Sequence, residues 1–148
     1  YSPDMYRKLF KPRHKKKVDF LKKHAGKAKI LYHCCGGVEP LLRDLIELGI
    51  DAINPVQVSA KGMGDTKRLK SLYGRELTFW GGIDTQRVLP FGTPAEVKAE
   101  VRRRIEDLAP EGGMVLAAVH NLRPEVKPEN ICVLFEAAAE YGKYERHL

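Results

Sequence analysis

The stretch LTFWGGIDTQRVLPFGTPAEVKAEVRRRIEDLAP, Leu77 to Pro110, carries one strand-to-helix unit from end to end. LTFWGGI is a short apolar run with no polar alternation, suited to a strand buried on both faces. Thr93-Pro94-Ala95-Glu96 is a capping box with proline at the first helical position. Val97, Val101, Ile105 and Leu108 then recur at helical spacing up to Pro110.

The same alternation repeats on either side. AKILYHCC (28–35) predicts a strand, and Val38 to Leu48 predicts a helix with Leu41, Leu42, Leu45 and Ile46 on one face, ended by Gly49. DAINPVQV (51–58) predicts a second strand, followed by a short helix over 67–73 that carries Leu69 and Leu72 and closes at Gly74. MVLAAV (114–119) is the fourth strand. Pro128 opens a last helix whose apolar face reads as Ile131, Leu134, Phe135 and Ala138, with Cys132 expected in the core. Hairpin signals are absent. Four βα units with short connections, preceded by a helix, predict an α/β protein with a parallel sheet. An open doubly wound sheet and a (β/α)₈ TIM barrel both satisfy this pattern. A complete barrel takes ~250 residues, so four units in 148 residues would make about half of one, the reading favoured by the residues collected at the strand ends.

Composition sets the outer limits. With 43% hydrophobic and 30% charged residues, the chain is expected to be an ordinary globular protein, without a membrane span or signal peptide and hence cytoplasmic. Three cysteines, two of them adjacent, suit reduced thiols better than disulfides. The net charge of +7 is concentrated in Arg7 to Lys29, where eleven Lys or Arg face the single Asp19. Val18, Leu21 and Ala25 form one face of that helix. The cations read as a solvated face or as a docking patch for an acidic partner; nucleic acid is set aside, because no aromatic residues interleave and no motif is present.

Chemistry-bearing residues collect where each strand hands over to its loop: His33 and Cys35, then Asn54 and Gln57, then Asp84, then His120 and Asn121. That edge is where parallel α/β proteins bind ligands. In an extended strand His33 and Cys35 share a side while Cys34 takes the other. The pair suits Zn²⁺, with His120 as candidate third ligand, or is a buried thiol beside a hydrogen-bonded histidine. Asp84 follows Gly81 and Gly82, where missing side chains let a ligand or backbone come close; it is a candidate catalytic residue or a turn cap. Asn54 and Gln57 offer donors and acceptors to substrate or orient a neighbour. Lys61, in a glycine-rich loop, could meet an anion, and His14, His24 and His147 are expected in solvent.

The runs HCCGGVEPLLRDLIELGIDAINPVQVSAKGM (33–63), LTFWGGIDTQRVLPFGTPAEVKAEVRRRIE (77–106) and GGMVLAAVHNLRPEVKPENI (112–131) resemble the C-terminal half of the uroporphyrinogen decarboxylase superfamily, especially its corrinoid-dependent methyltransferase branch. The resemblance covers nearly the whole chain and implies that residues 1–148 are the second half of a barrel domain, needing the N-terminal half or self-association to complete it. It implies an enzyme in the parent protein. In the methyltransferase branch zinc is held by the His and Cys of His-x-Cys-Gly and a later cysteine. His33 and Cys35 match the first two, and His120 stands at the third position. The implied activity is zinc-dependent methyl transfer to or from a corrinoid or thiol, with a small-molecule substrate and a corrinoid protein as partner. Asp84 and Asn54 would orient substrate, and Asn54, Gln57, Gly81, Gly82 and Asn121 are the expected substrate-binding residues. The alternatives are a metal-free decarboxylase of uroporphyrinogen or a related tetrapyrrole, with His120 transferring a proton, and a non-catalytic half-barrel binding module.

Overall fold

The computed structural model describes residues 2–144. Four strands, β1 (Leu31–His33), β2 (Ala52–Val56), β3 (Thr78–Ile83) and β4 (Met114–Ala118), form one parallel sheet in the order β1-β2-β3-β4. Leu31 pairs with Ala52 and Ala52 with Thr78; Trp80 pairs with Val115. Strands in sequential order with right-handed crossovers put every connecting helix on one side of the sheet, which is the arrangement of part of a TIM barrel. The strands are shorter than the apolar runs that announced them, because residues just outside them serve the loops.

The helices are α1 (Pro3–Met5), α2 (Lys11–His24), α3 (Leu42–Leu48), α4 (Thr66–Tyr73), α5 (Val88–Phe91), α6 (Pro94–Leu108) and α7 (Pro128–Tyr141). A π-helical turn, Tyr6–Phe10, joins the first two, and a 3₁₀ turn, Glu39–Leu41, leads into α3. Gly49 ends α3 in the left-handed conformation at φ 92°, which spares the chain a Cβ clash. Asp65 caps α4 by accepting from the Arg68 amide at 2.9 Å. At α6 the capping box forms in both directions, Thr93 to the Glu96 amide and Glu96 to the Thr93 amide.

Two apolar clusters lie between the sheet and its helices. Under β1 to β3, Ile53, Val56 and Phe79 pack with Leu42, Leu45, Leu48 and Leu69. Under β3 and β4, Ile83 packs with Val97, Val101, Leu134 and Ala137. Full burial of a Leu, Ile or Phe side chain is worth roughly 1.5–3 kcal/mol, so these layers hold the strand ends in place.

Several expectations change. Of Val18, Leu21 and Ala25 only Val18 is buried. Helix α2 and the turn before it are tied to α3 by charge: Lys11 reaches Asp44 at 2.7 Å and Glu47 at 2.6 Å, and Arg7 reaches Asp44 at 3.0 Å. Leu72 is exposed on α4. On α7 the inward side is Asn130, Leu134 and Ala137. Cys132, two residues and so about 200° from Leu134, is therefore exposed instead of in the core, and Phe135 is exposed as well. His14 is half-buried rather than solvated: its Nδ1 lies 3.1 Å from the Tyr6 hydroxyl, and its ring packs near Tyr32. His24 is exposed, and His147 lies outside the described residues. Among the described residues no helix is long and apolar enough to cross a membrane.

Candidate active site at the strand exits

Strand alternation at the end of β1 sorts its three reactive residues. Cys34 turns toward the helix side and packs against the first apolar cluster; burial, and secondarily the neighbouring Cys35, pushes its thiol pKa up. His33 and Cys35 are exposed on the other side, with Cys35 Sγ 3.5 Å from His33 Nε2. The other ring nitrogen, Nδ1, lies 2.6 Å from Asn54 Oδ1, the next strand's residue in register with His33. The Asn54 amide nitrogen is oriented toward the Trp80 carbonyl at 3.5 Å, so Oδ1 is the acceptor and Nδ1 carries the proton. Nε2 is left with its lone pair on the side of the thiol.

This is the arrangement a metal-ligating histidine requires, with one nitrogen fixed by a hydrogen bond and the other free to donate. Distances agree. Zinc bonds of about 2.3 Å to sulfur and 2.0–2.1 Å to nitrogen at a tetrahedral angle put the two donor atoms about 3.5 Å apart. The donors present therefore fit two positions of a zinc site. The expected third does not join them: among the described residues no three His, Cys, Asp or Glu side chains are grouped to hold a metal ion. The reason is topological. His120 follows β4, three strand spacings of about 4.8 Å away from β1 at the opposite edge of the sheet.

His120 instead shares a cavity with Cys35. A cleft of about 390 Å³ runs along the strand exits, lined at one end by Cys35 and Gln57 and at the other by Val119, His120, Asn121, Arg123 and Glu125. Thr85, Gln86, Pro90 and Phe91 form its wall. Gln57 has a second task, because its Oε1 accepts the Gly36 amide at 2.7 Å and fixes the loop that follows Cys35. Asp84 does not line the cleft. It is buried, and its Oδ1 accepts from the Gln86 amide at 2.7 Å, so the turn-capping alternative is the one its geometry satisfies. Gly81 and Gly82 are likewise absent from the lining: at Gly81 a Cβ would stand 2.9 Å from the Val56 amide nitrogen, and at Gly82 it would meet Arg104 and Leu108 of α6. What comes close to these glycines is backbone and helix. Lys61 remains exposed on its loop.

The residues that sequence reasoning passed over include Thr85, Gln86, Pro90, Phe91, Arg123 and Glu125. Their signal was position alone, in the connections that follow β3 and β4, with Pro90 and Phe91 on α5.

None of the curated proteins compared with the chain matches it. Among solved structures it is similar to a methyltransferase from Methanosarcina mazei, with a TM-score of 0.73 and 26% identity over 97% of this chain. The match takes in 39% of the methyltransferase chain, so this chain spans well under half of that protein's length. The family model of uroporphyrinogen decarboxylase matches residues 1–141, and the chain belongs to the uroporphyrinogen decarboxylase family.

Proposed function

We propose that residues 1–148 are the C-terminal half of a barrel domain whose parent enzyme carries out zinc-dependent methyl transfer, to or from a corrinoid or a thiol. The observation that carries this reading is the His33–Cys35 pair, 3.5 Å apart and oriented by Asn54, supported by the likeness to a methyltransferase. His33 Nε2 and Cys35 Sγ would hold the metal, and the third ligand would come from the same cleft or from the other half of the barrel. Zinc bound there would lower the pKa of a coordinated substrate thiol, making it a thiolate at neutral pH. Asn54 holds the proton on His33 Nδ1, and Gln57 fixes the loop after Cys35. His120, Asn121 and Arg123 would face the substrate from the far end of the cleft, and Gln86 from its wall.

A second reading has its own observation. His120 lines the cleft beside Asn121 and Arg123 and, among the described residues, joins no metal-ligating group, a place from which it would transfer a proton in a metal-free decarboxylase. Three measurements on the full-length parent separate the two: zinc per chain after mild chelation, methyl transfer from methylcobalamin to a thiol, and carboxylate loss from a porphyrinogen. Methyl transfer with stoichiometric zinc that Cys35→Ser abolishes supports the first reading. Decarboxylation that survives Cys35→Ser but not His120→Ala selects the second. Absence of both reactions would leave a binding module.

A further inference from the structure

The eleven cations between Arg7 and Lys29 divide into two sets. Arg7, Lys11 and Lys22 turn toward Asp44, Glu47 and Asp51, the largely exposed Lys29 lies 3.6 Å from Asp51, and Lys15 pairs with Asp19 on its own helix. These anchor the segment. Lys8, Arg13, Lys16, Lys17, Lys23 and Lys27 are exposed and have no carboxylate partner among the described residues.

Four of that second set surround one aromatic ring. Arg13, Lys16, Lys17 and Lys23 lie seven, four, three and three positions from Phe20, and so share its face of the 14-residue α2. Phe20 is 62% exposed, and its ring is braced by His24, with centroids 4.4 Å apart. None of these residues lines the cleft. An apolar centre rimmed by charge of one sign is the anatomy of a protein interface. An interfacial membrane helix needs a continuous apolar face. On α2 the exposed Leu21 stands about 100° round the helix from Phe20, and the exposed Leu9 and Phe10 precede the helix on the π-helical turn, so no continuous stripe forms. A single-strand nucleic-acid surface interleaves several aromatics with its cations, and this face has only one Phe.

We infer that the outer face of α2 docks an acidic protein surface carrying an apolar side chain at its centre. Phe20 covers that side chain while Arg13, Lys16, Lys17 and Lys23 meet the carboxylates around it. The charges speed encounter and set specificity, and the ring fixes the register.

The test uses two short acidic peptides of equal charge, one with a central Leu and one with a central Ser, titrated against the full chain. The Leu peptide should bind several-fold tighter, with salt-sensitive affinity. Phe20→Ser should erase the difference and leave Ser-peptide affinity unchanged. Lys16→Glu, Lys17→Glu and Lys23→Glu together should weaken both by about tenfold or more. Reversing the exposed Lys67, Arg75 and Lys127 instead should do little. Equal affinity for the two peptides, equal loss from the control reversal, or tighter binding to phosphatidylserine vesicles or single-stranded RNA would overturn the assignment.

Discussion

His33 has one ring nitrogen fixed by Asn54 at 2.6 Å and the other facing Cys35 at 3.5 Å with its lone pair free. If that pair holds zinc, Asn54 controls its affinity without touching the metal. Asn54→Ala should weaken Co²⁺ or Zn²⁺ binding by roughly 10–100-fold, read from the thiolate-to-cobalt absorption, while Cys34→Ser leaves it intact because Cys34 packs on the other side of the strand. Undiminished binding in Asn54→Ala would remove the asparagine from the site. His14 gives a second residue-scale prediction. Burial, with Lys17 adding repulsion, lowers its pKa from the ordinary 6.5, so folding favours the neutral ring. That contribution is complete above about pH 6.5 and is lost as pH falls from there through the folded-state value. Thermal stability should therefore drop between neutral and mildly acidic pH more steeply in the wild type than in His14→Gln. Parallel slopes would show that His14 is not the group responsible.

At the scale of elements, two polar side chains do what apolar stripes do elsewhere. Burial opposes ionisation of Asp44, but hydrogen bonds from Lys11 and Arg7 outweigh it and hold its pKa below the usual carboxylate value. Asp44→Asn should loosen α2 from α3 and cost about 1–2 kcal/mol in urea denaturation, a range kept low because Lys11 and Arg7 remain partly exposed. Asn130, fully buried on α7, donates to the Leu89 and Gly92 carbonyls, both at 2.9 Å, while its Oδ1 has no partner among the described residues. It thereby fixes α5, which brings Pro90 and Phe91 to the cleft. Asn130→Ala should cost about 2 kcal/mol, measured by the same method, and an unchanged midpoint would count against the clamp. These ties explain which parts of the fold were legible. The four βα units and the Thr93 capping box could be read because apolar period and cap chemistry are local. The seating of α2 could not, since it depends on Asp44 and Asp51 meeting lysines some 30 residues away in the chain. On α7 the spacing marked the helix and most of its inward side, since Leu134 is buried and Ile131 and Ala138 pack against the second cluster. Phe135 and Cys132 face outward instead, and Asn130 and Ala137 complete the buried side through packing against α5 and α6. In the site, alternation separated Cys34 from His33 and Cys35; the role of Asn54 needed the β1–β2 register, and the separation of His120 needed the strand order.

The whole molecule exposes 9470 Å², whereas a compact monomer of 16.7 kDa should expose about 7600 Å². The difference exceeds the ~800 Å² that each partner buries in a standard interface. Its location follows from the topology. Helices cover one face of the sheet, and on the other Leu31 (44% exposed), Trp80 (38%) and Val115 (37%) face outward, with Trp80 and Val115 paired in register. β1 and β4 each pair on one side only among the described residues, so two strands present unpaired backbone groups beside that apolar face. In a closed barrel the apolar face would turn inward and the edges of β1 and β4 would pair with neighbouring strands. The isolated 148-residue chain is therefore expected to associate through this face, and light scattering should give a dimer or larger species. Because Trp80 is the chain's one tryptophan, its emission reports on this face alone and should shift to the blue as concentration rises. Replacing Leu31 and Val115 together by Lys should restore a monomer and abolish the shift, since both side chains leave the core clusters untouched. A monodisperse wild-type monomer with concentration-independent emission would show instead that the open face tolerates water.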